Sequence, residues 1–228
     1  MNLPPFCRRW CPRRRCSSIC DVKHKYWIDS HKGLTGPFVL GLIAWYHAWD
    51  NVVAWIYLAL HGTYGVLWML KSKYYGDKSW ERDVPLYLGL GTWFALSLYW
   101  ISPWLIVSGR AHVAPPWFLC VCISMYTFGV FLHFASDMQK HMSMTHRRGT
   151  LLTDGLWGLV RNPNYLGELL IYLGFSLLPM HWIPLAALAL VIGSVWIPNM
   201  MKKDKSLSRY PDFAQYKSQT KLIIPYVI

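Results

Sequence analysis

The sequence predicts an all-α, polytopic integral membrane protein with about six transmembrane helices and a cytosol-facing cofactor pocket, and three features support that fold class. Hydrophobic residues make up 54% of the 228 residues and charged residues 15%, where a soluble domain has about a quarter charged. The mean hydropathy is +0.21. Apolar runs of about 20 residues, the length of a membrane-crossing helix, recur between short charged connectors.

Residues 1–35 are basic, polar and rich in cysteine, without sustained helical or strand periodicity. We therefore predict an irregular N-terminal arm there and a membrane domain over 36–228. The first two apolar segments predict a helical hairpin that turns at Asp50–Asn51. A charged connector with a Gly-Asp turn signal follows the hairpin. The predicted membrane segments are 36–49, 51–70, 84–107, 114–135, 164–179 and 182–198, and the connector is 71–83.

The net charge of +12 is concentrated in segments that this topology places on one side of the membrane. Lys and Arg collect in the arm, in 71–83, in the polar stretch 136–163 and after Lys202. Because cytoplasmic loops carry an excess of basic residues, we expect both termini to face the cytosol, in the endoplasmic reticulum. The mitochondrial inner membrane is the alternative. Charge spread over loops lacks the single basic face of a nucleic-acid-binding protein, so we expect no nucleic-acid partner.

The six cysteines lie at positions 7, 11, 16, 20, 120 and 122. The spacing of the first four differs from the paired Cys-x-x-Cys of structural zinc sites, and no His pair accompanies them. We therefore predict no metal site. Cytosolic thiols are the simplest interpretation, and acylation is compatible with it.

The polar segment TDGLWGLVRNPNYLGELL, at 153–170, lies against the start of an apolar run. Asn164 and Glu168 are four residues apart, so they share one face of a helix whose first turn Pro163 suits. Ionisable residues within a membrane span usually line a cavity, because they need polar partners. These two residues therefore predict a site, whereas Arg161 alone is more often an interfacial side chain.

Asp137 lies at the cytosolic end of an apolar helix, where a lone carboxylate is usually a solvated helix terminus. Together with Arg147, Arg148, Asn164 and Glu168 it predicts a polar, mostly basic mouth on the cytosolic face. Guanidinium groups match phosphate oxygens, so this mouth suits a phosphate-bearing cofactor. The carboxylates would bind ribose hydroxyls or a carboxamide.

The segments DGLW, NYLGE, RYP and IPY together resemble the C-terminal half of the steroid 5-alpha-reductase family. Relatives of that family are the sterol C14 and C7 reductases and the isoprenylcysteine carboxyl methyltransferases. The resemblance covers about residues 128–228 and implies that this half binds NADPH, with Arg148 at a phosphate and Tyr216 capping the pocket. The predicted cofactor-binding residues are Asp137, Arg147, Arg148, Arg161, Asn164, Tyr165, Glu168 and Tyr216.

The N-terminal half departs from the family pattern in LHGTYG, residues 60–65. The reductases have a Leu-His-Tyr element whose tyrosine donates a proton, followed by an arginine, and here Gly62 and Gly65 occupy those two positions. Tyr64 lies two residues on, about 200° around a helix. A lone histidine in a span is more often an interhelical hydrogen-bonding residue. The candidate proton donors are Tyr64, His61 and Tyr172.

We predict a membrane-bound, NADPH-dependent reductase of a carbon–carbon double bond in a steroid, sterol or related lipid. The cofactor would supply the hydride, and the protein would supply positioning and a proton. Membrane lipids and the lipid substrate are the expected partners.

Two alternatives remain open. In an S-adenosylmethionine-dependent methyltransferase, the family motif Arg-His-Pro-x-Tyr would match RNPNY, but Asn162 replaces the histidine and KKDKSL stands where paired glutamates are expected. A non-catalytic subunit of a membrane complex that has kept the fold is the other alternative. The 14 tryptophans are compatible with interfacial belts or with packing against such a partner.

Overall fold

The computed structural model describes residues 22–227, and that part of the chain is almost entirely helical. A two-stranded antiparallel ribbon joins the start of the first helix to the connector after the second. Within residues 22–227 the helices are α1 (His24–Trp45), α2 (Val52–Tyr75), α3 (Leu86–Ser97), α4 (Ile101–Val107), α5 (Pro116–His146), α6 (Pro163–Leu177), α7 (Trp182–Val191), α8 (Ile197–Leu207) and α9 (Phe213–Gln219), and the strands are β1 (Val22–Lys23) and β2 (Asp83–Val84).

Four helical stretches of the described chain are long and apolar enough to cross a bilayer. They are Val52–Tyr75, Leu86–Val107, Pro116–His146 and Trp182–Leu207. The all-α membrane fold is therefore confirmed, whereas the predicted number of six spans is not. The other two predicted segments lie in α1 and α6, and α6 has only 15 residues. Its length of about 22 Å is shorter than the ~30 Å hydrocarbon core of a bilayer.

Helix α1 begins at His24, so the prediction of an irregular arm over 1–35 is wrong for its last part. The inward face of this half of α1 is largely polar, which hides the helical period from a search for apolar residues. Its buried side chains before residue 36 are His24, Ile28, His31, Lys32 and Thr35. Residues 1–21, with the cysteines at 7, 11, 16 and 20, lie outside the described residues, and the predictions for them stay predictions.

The predicted hairpin of α1 and α2 is present, with its turn between Trp45 and Val52. Asn51 caps α2, because its side-chain oxygen accepts a hydrogen bond of 3.1 Å from the Ala54 amide. Farther along the hairpin the two backbones approach closely at Gly65. A Cβ atom there would lie 3.1 Å from the carbonyl carbon of Lys32. This contact brings the Lys32 side chain against the inward face of α2.

Helices α5 and α6 pack backbone to backbone through small residues. A Cβ atom on Gly129 would lie 2.7 Å from the Gly167 carbonyl oxygen, and one on Gly174 would lie 3.0 Å from the Cys122 carbonyl oxygen. Small residues allow this close approach in membrane helices. The glycine of NYLGE therefore holds the polar start of α6 against α5.

The core between these helices is rich in aromatic side chains, and Tyr57, Tyr64, Tyr172 and Phe175 are among its buried members. Large apolar side chains also remain exposed along the membrane-length helices, for example Phe94, Phe128, Phe131, Trp182 and Leu190. A protein surface so rich in apolar groups requires a nonaqueous neighbour. These residues contact membrane lipid.

Candidate functional site

His133 links helices α2, α5 and α6 at the polar start of α6. Its Nδ1 lies 3.1 Å from the Asn164 carbonyl oxygen, and its Nε2 lies 3.2 Å from the Lys71 ammonium. A carbonyl oxygen can only accept and an ammonium can only donate, so the neutral ring with its proton on Nδ1 satisfies both contacts. His133 thereby fixes the position of Asn164 relative to Lys71.

Asp137 forms an ion pair with Lys71 one turn beyond His133. The two side chains are 10% and 8% exposed, and the ammonium also lies 4.6 Å from the centroid of the Trp68 ring. Removing one partner of such a buried pair would leave the other charge uncompensated, at a cost of about 3–5 kcal/mol. Lys71 therefore both neutralises and orients the predicted site carboxylate.

Glu168 obtains the polar partner that its position in the helix requires from α2. The Tyr64 hydroxyl donates a hydrogen bond of 3.3 Å to Glu168 Oε1. The Lys32 ammonium lies over the Tyr64 ring, 4.3 Å from its centroid, and donates a hydrogen bond to the Tyr172 hydroxyl. We refer to Lys32, Tyr64, Glu168 and Tyr172 as the tyrosine cluster.

His61 is also buried, but its hydrogen bond goes to Tyr57 and not to the tyrosine cluster. Its ring stacks on Phe175 with the centroids 4.2 Å apart. The Tyr57 hydroxyl donates to the Tyr99 carbonyl oxygen at 2.9 Å, so the 2.7 Å contact between Tyr57 and His61 has Nδ1 as its donor. His61 thus forms its hydrogen bond within α2 and contacts α6 by stacking on Phe175, and a catalytic role for it stays a prediction.

An open cleft of about 120 Å³ has Asp137 in its lining. Four basic and two acidic side chains line it, and of the residues of the predicted basic mouth Asp137 and Arg148 are among them. The charged lining residues are Lys71, Asp77, Lys78, Asp137, Lys140 and Arg148. Lys71 and Asp137 belong both to this basic cleft and to the buried contacts around His133, so the two are continuous.

Asp77 closes one side of the basic cleft through an ion pair with Lys140. Its Oδ2 lies 2.7 Å from the Lys140 ammonium, and its Oδ1 accepts a 2.9 Å hydrogen bond from the Ser79 amide. Burial alone would raise the pKa of Asp77, but the Lys140 charge and these hydrogen bonds outweigh burial and hold the pKa well below its usual value. The ionised carboxylate therefore competes with any bound anion for Lys140.

Arg161 and Tyr216 hold the C-terminal tail in place. Arg161 Nε donates to Asp204 Oδ2 at 3.2 Å, and its Nη1 donates to the carbonyl oxygens of Lys217 and Thr220. The Tyr216 hydroxyl donates to the Trp157 carbonyl oxygen at 2.7 Å. Both side chains are engaged with the protein itself, and a cofactor contact for either stays a prediction.

The remaining predicted residues divide between the cleft and the surface. Arg148 lines the basic cleft, whereas Arg147 pairs with Asp154 at 3.0 Å where both side chains are more than half exposed. The Tyr165 ring packs against Trp196, with the centroids 5.6 Å apart. Of the predicted cofactor residues, Asp137 and Arg148 line the cleft. Asn164 contacts His133 through its carbonyl oxygen, and Glu168 belongs to the tyrosine cluster.

Sequence reasoning missed Lys32, Lys71 and His133. A signal for Lys71 was present, because inward-facing residues recur every three or four positions along α2. The series is Tyr57, His61, Tyr64, Trp68 and Lys71. A lysine that continues an aromatic stripe predicts a buried cation, and the same period on α5 places His133 one turn before Asp137.

Asn164 supplies a test of whether these residues fit a dinucleotide. Its buried Oδ1 atom has no hydrogen-bond partner among residues 22–227. An unsatisfied buried acceptor costs about 1–3 kcal/mol, so a donor from a bound molecule would be favourable there. A carboxamide N–H could donate to Asn164 Oδ1, and phosphate groups could bind the cations of the basic cleft. The residues therefore fit a nicotinamide dinucleotide.

Comparison with known proteins places these features in a wider group. The family described as "Protein of unknown function (DUF1295)" matches residues 77–220, which include α5, α6 and the part of the basic cleft's lining from Asp77 onward. The chain is also similar to the Delta(14)-sterol reductase of Methylotuvimicrobium alcaliphilum, with 24% identity over 129 residues. That alignment covers 48% of this chain, and the chain spans about 30% of the length of that relative.

Proposed function

The chain belongs to the DUF1295 family, within the steroid 5-alpha-reductase-like group, and we propose that it is an NADPH-dependent reductase of a carbon–carbon double bond in a sterol or related lipid. The observation that carries this proposal is the continuity of the basic cleft with the buried contacts of Asp137, Lys71 and His133. The similarity to a Delta(14)-sterol reductase supports the sterol class of substrate.

The proposed cofactor site runs from the basic cleft towards the tyrosine cluster. Lys140 and Arg148 would hold phosphate groups, since both line the cleft, and a phosphate would displace Asp77 from Lys140. Asn164 and Glu168 would hold the carboxamide end. When bound, NADPH supplies the hydride that is transferred to one carbon of the double bond.

The protein's part in the proposed reaction is to orient the substrate and to supply a proton to the other carbon of the double bond. The buried aromatic residues around Tyr64 exclude water from this step. The substrate would enter from the lipid side, because the cytosolic side belongs to the basic cleft. We propose the endoplasmic reticulum as its location, with both termini in the cytosol.

The test is thermal stabilisation of the detergent-purified full-length protein by NADPH, NADH or S-adenosylmethionine, each added separately. A ligand that binds only the folded state at a hundredfold excess over its Kd stabilises it by about 2.7 kcal/mol. We expect a shift with NADPH that is lost in Asn164→Ala and in Glu168→Gln. Glu81→Gln, an exposed control that makes the same chemical change, should keep the shift.

Other outcomes would overturn the proposal. Stabilisation by S-adenosylmethionine alone would indicate a methyltransferase, and no stabilisation by any of the three would favour a non-catalytic subunit. An NADPH shift that survives in both Asn164→Ala and Glu168→Gln would place the cofactor elsewhere. If NADPH binds, its oxidation in the presence of a Δ14-unsaturated sterol then tests the substrate class.

A further inference from the structure

We propose that Tyr172 donates the proton in the reduction and that Lys32 is its positioning residue. The inference rests on the proposed reductase function and deepens it. Two observations carry it. The Lys32 ammonium is buried against the Tyr172 hydroxyl, and the other candidate donors, Tyr64 and His61, already donate their protons in hydrogen bonds within the protein.

Lys32 is 3% exposed, yet it takes part in no salt bridge of residues 22–227. Its ammonium instead lies among three aromatic rings, with centroid distances of 4.3 Å to Tyr64, 5.0 Å to Tyr172 and 5.1 Å to Trp68. The negative faces of such rings attract a cation, but more weakly than a carboxylate does at contact distance. Its charge is offset by the Glu168 carboxylate, which the Tyr64 hydroxyl binds, and a buried cation without a carboxylate in direct contact indicates a functional position.

The Tyr172 hydroxyl is the polar group that this cation contacts. Its oxygen accepts a hydrogen bond from Lys32, and within residues 22–227 no hydrogen bond uses its own proton. The Tyr172 ring is held in place by stacking on Tyr99, with the centroids 4.2 Å apart. A fixed hydroxyl with an uncommitted proton and a cation at its oxygen has the geometry of a general acid.

The other candidate donors have their protons engaged. Tyr64 donates its single hydroxyl proton to Glu168, and His61 donates its Nδ1 proton to Tyr57. Tyr64 has a different part in the cluster, because its ring lies beneath the ammonium while its hydroxyl binds the carboxylate. Tyr64 therefore contacts both the Lys32 ammonium and the Glu168 carboxylate, and these two opposite charges offset each other.

The proposed step is balanced by the cofactor and by water. The double bond accepts a hydride from NADPH at one carbon, and the Tyr172 O–H bond breaks as its proton forms a C–H bond at the other carbon. The resulting tyrosinate is stabilised by the Lys32 ammonium, and a proton from solvent restores the hydroxyl. NADPH is oxidised to NADP⁺, and the double bond is reduced.

The kinetic test uses Tyr172→Phe and Lys32→Met, with Tyr64→Phe for comparison. With NADPH and a Δ14-unsaturated sterol, we expect Tyr172→Phe to lower kcat about a hundredfold and Lys32→Met at least tenfold, while KM for NADPH changes less than twofold. Tyr64→Phe should lose less activity than Tyr172→Phe.

The rate ratio between H₂O and D₂O should rise in Lys32→Met, because proton transfer becomes slower. The matched controls are the exposed residues Lys73→Met and Tyr87→Phe, which should behave as wild type.

A second readout needs neither cofactor nor substrate. Loss of the Lys32 ammonium leaves the Glu168 carboxylate without its compensating charge. The double variant Lys32→Met/Glu168→Gln should therefore unfold at a higher temperature than Lys32→Met. If Lys32→Met does not fold, Tyr172→Phe still tests the proton donor, because it removes one oxygen atom and keeps the ring.

The outcomes separate this inference from the proposed function. If the wild type binds NADPH and reduces the sterol but Tyr172→Phe does so at the same rate, Tyr172 is not the donor. An unchanged isotope ratio in a folded Lys32→Met, or a double variant less stable than Lys32→Met, would contradict the role of Lys32. If the wild type binds no NADPH, the reductase function itself fails.

Discussion

Replacing Gly167 with alanine should separate α5 from α6 and destabilise the protein. The new Cβ atom would lie 2.7 Å from the Gly129 carbonyl oxygen and 2.8 Å from the Cα atom of His133. Both are backbone atoms within a helix, so no side chain can turn away to relieve the overlap. The helices must move apart as rigid bodies.

The size of that movement follows from ordinary van der Waals contact. Bringing the Gly129 oxygen to about 3.4 Å requires an opening of roughly 0.7 Å, and the backbone nitrogen of His133, which lies closer still, requires more than that. The hydrogen bond between His133 and the Asn164 carbonyl is 3.1 Å long, and the same displacement takes it beyond the ~3.2 Å range of good N–H···O bonds. Overpacking of this kind costs about 1–3 kcal/mol.

The assay is thermal unfolding in detergent, followed by tryptophan fluorescence, with Gly91→Ala as the matched control. A Cβ atom on Gly91 meets no atom of the described chain within 4 Å, and this glycine lies inside α3. Alanine there should be neutral or stabilising by up to about 1 kcal/mol. Gly167→Ala should unfold at a lower temperature and show a smaller NADPH shift. A Gly167→Ala protein as stable as Gly91→Ala would refute the argument from backbone contact.

Three further predictions concern the Arg161–Asp204 ion pair, a buried histidine and the Asp77–Lys140 ion pair at the basic cleft. Asp204→Asn should lower the free energy of unfolding by about 3 kcal/mol, because it leaves the buried Arg161 charge without its partner, and the exposed Asp212→Asn should have little effect. His31→Phe should raise the free energy of unfolding by about 1 kcal/mol, since both ring nitrogens are buried without hydrogen-bond partners among residues 22–227 and the ring already stacks on Trp100; a lower unfolding temperature would show that a polar group satisfies the histidine. The pKa of Asp77 is lower in the folded protein than its unfolded value of about 3.9, so its contribution to stability is present above roughly pH 4 and is lost as the pH falls below that value. The unfolding temperature of wild type should therefore fall more between neutral and acid pH than that of Lys140→Met, and equal slopes would contradict the ion pair.

The parts of the fold that the sequence predicted correctly are those in which apolar residues dominate. The hairpin turn before Val52 and the start of α6 at Pro163 were predictable, because an Asn cap and an N-terminal proline are local signals. The first half of α1 was not, since its inward face carries His31 and Lys32 and shows no apolar period. Such a helix is recognisable only when its neighbours are known.

The candidate site divides in the same way. Asn164 and Glu168 were predictable, because two polar residues on one face at the start of a span need partners wherever they lie. Those partners were not predictable: Tyr64 lies 104 residues before Glu168, and the Lys32–Tyr172 contact joins residues 140 apart. Contacts of this kind depend on which helices meet and at what height, and a single sequence carries no record of that.

Gly65 shows how the departure from the reductase pattern and the unexpected lysine are connected. The resemblance places an arginine at this position of α2, but a side chain there would run into the backbone of α1 at Lys32. The absence of a side chain at Gly65 is what allows α1 to cross at this height and to direct a lysine over the Tyr64 ring. A cation is therefore present beside Tyr64 although the arginine is missing, and it comes from a different helix. Gly65→Ala should displace Lys32 from the tyrosine cluster, although it changes no polar group. A loss of activity in this variant would show that proton donation by Tyr172 depends on the position of the Lys32 ammonium and not merely on its presence.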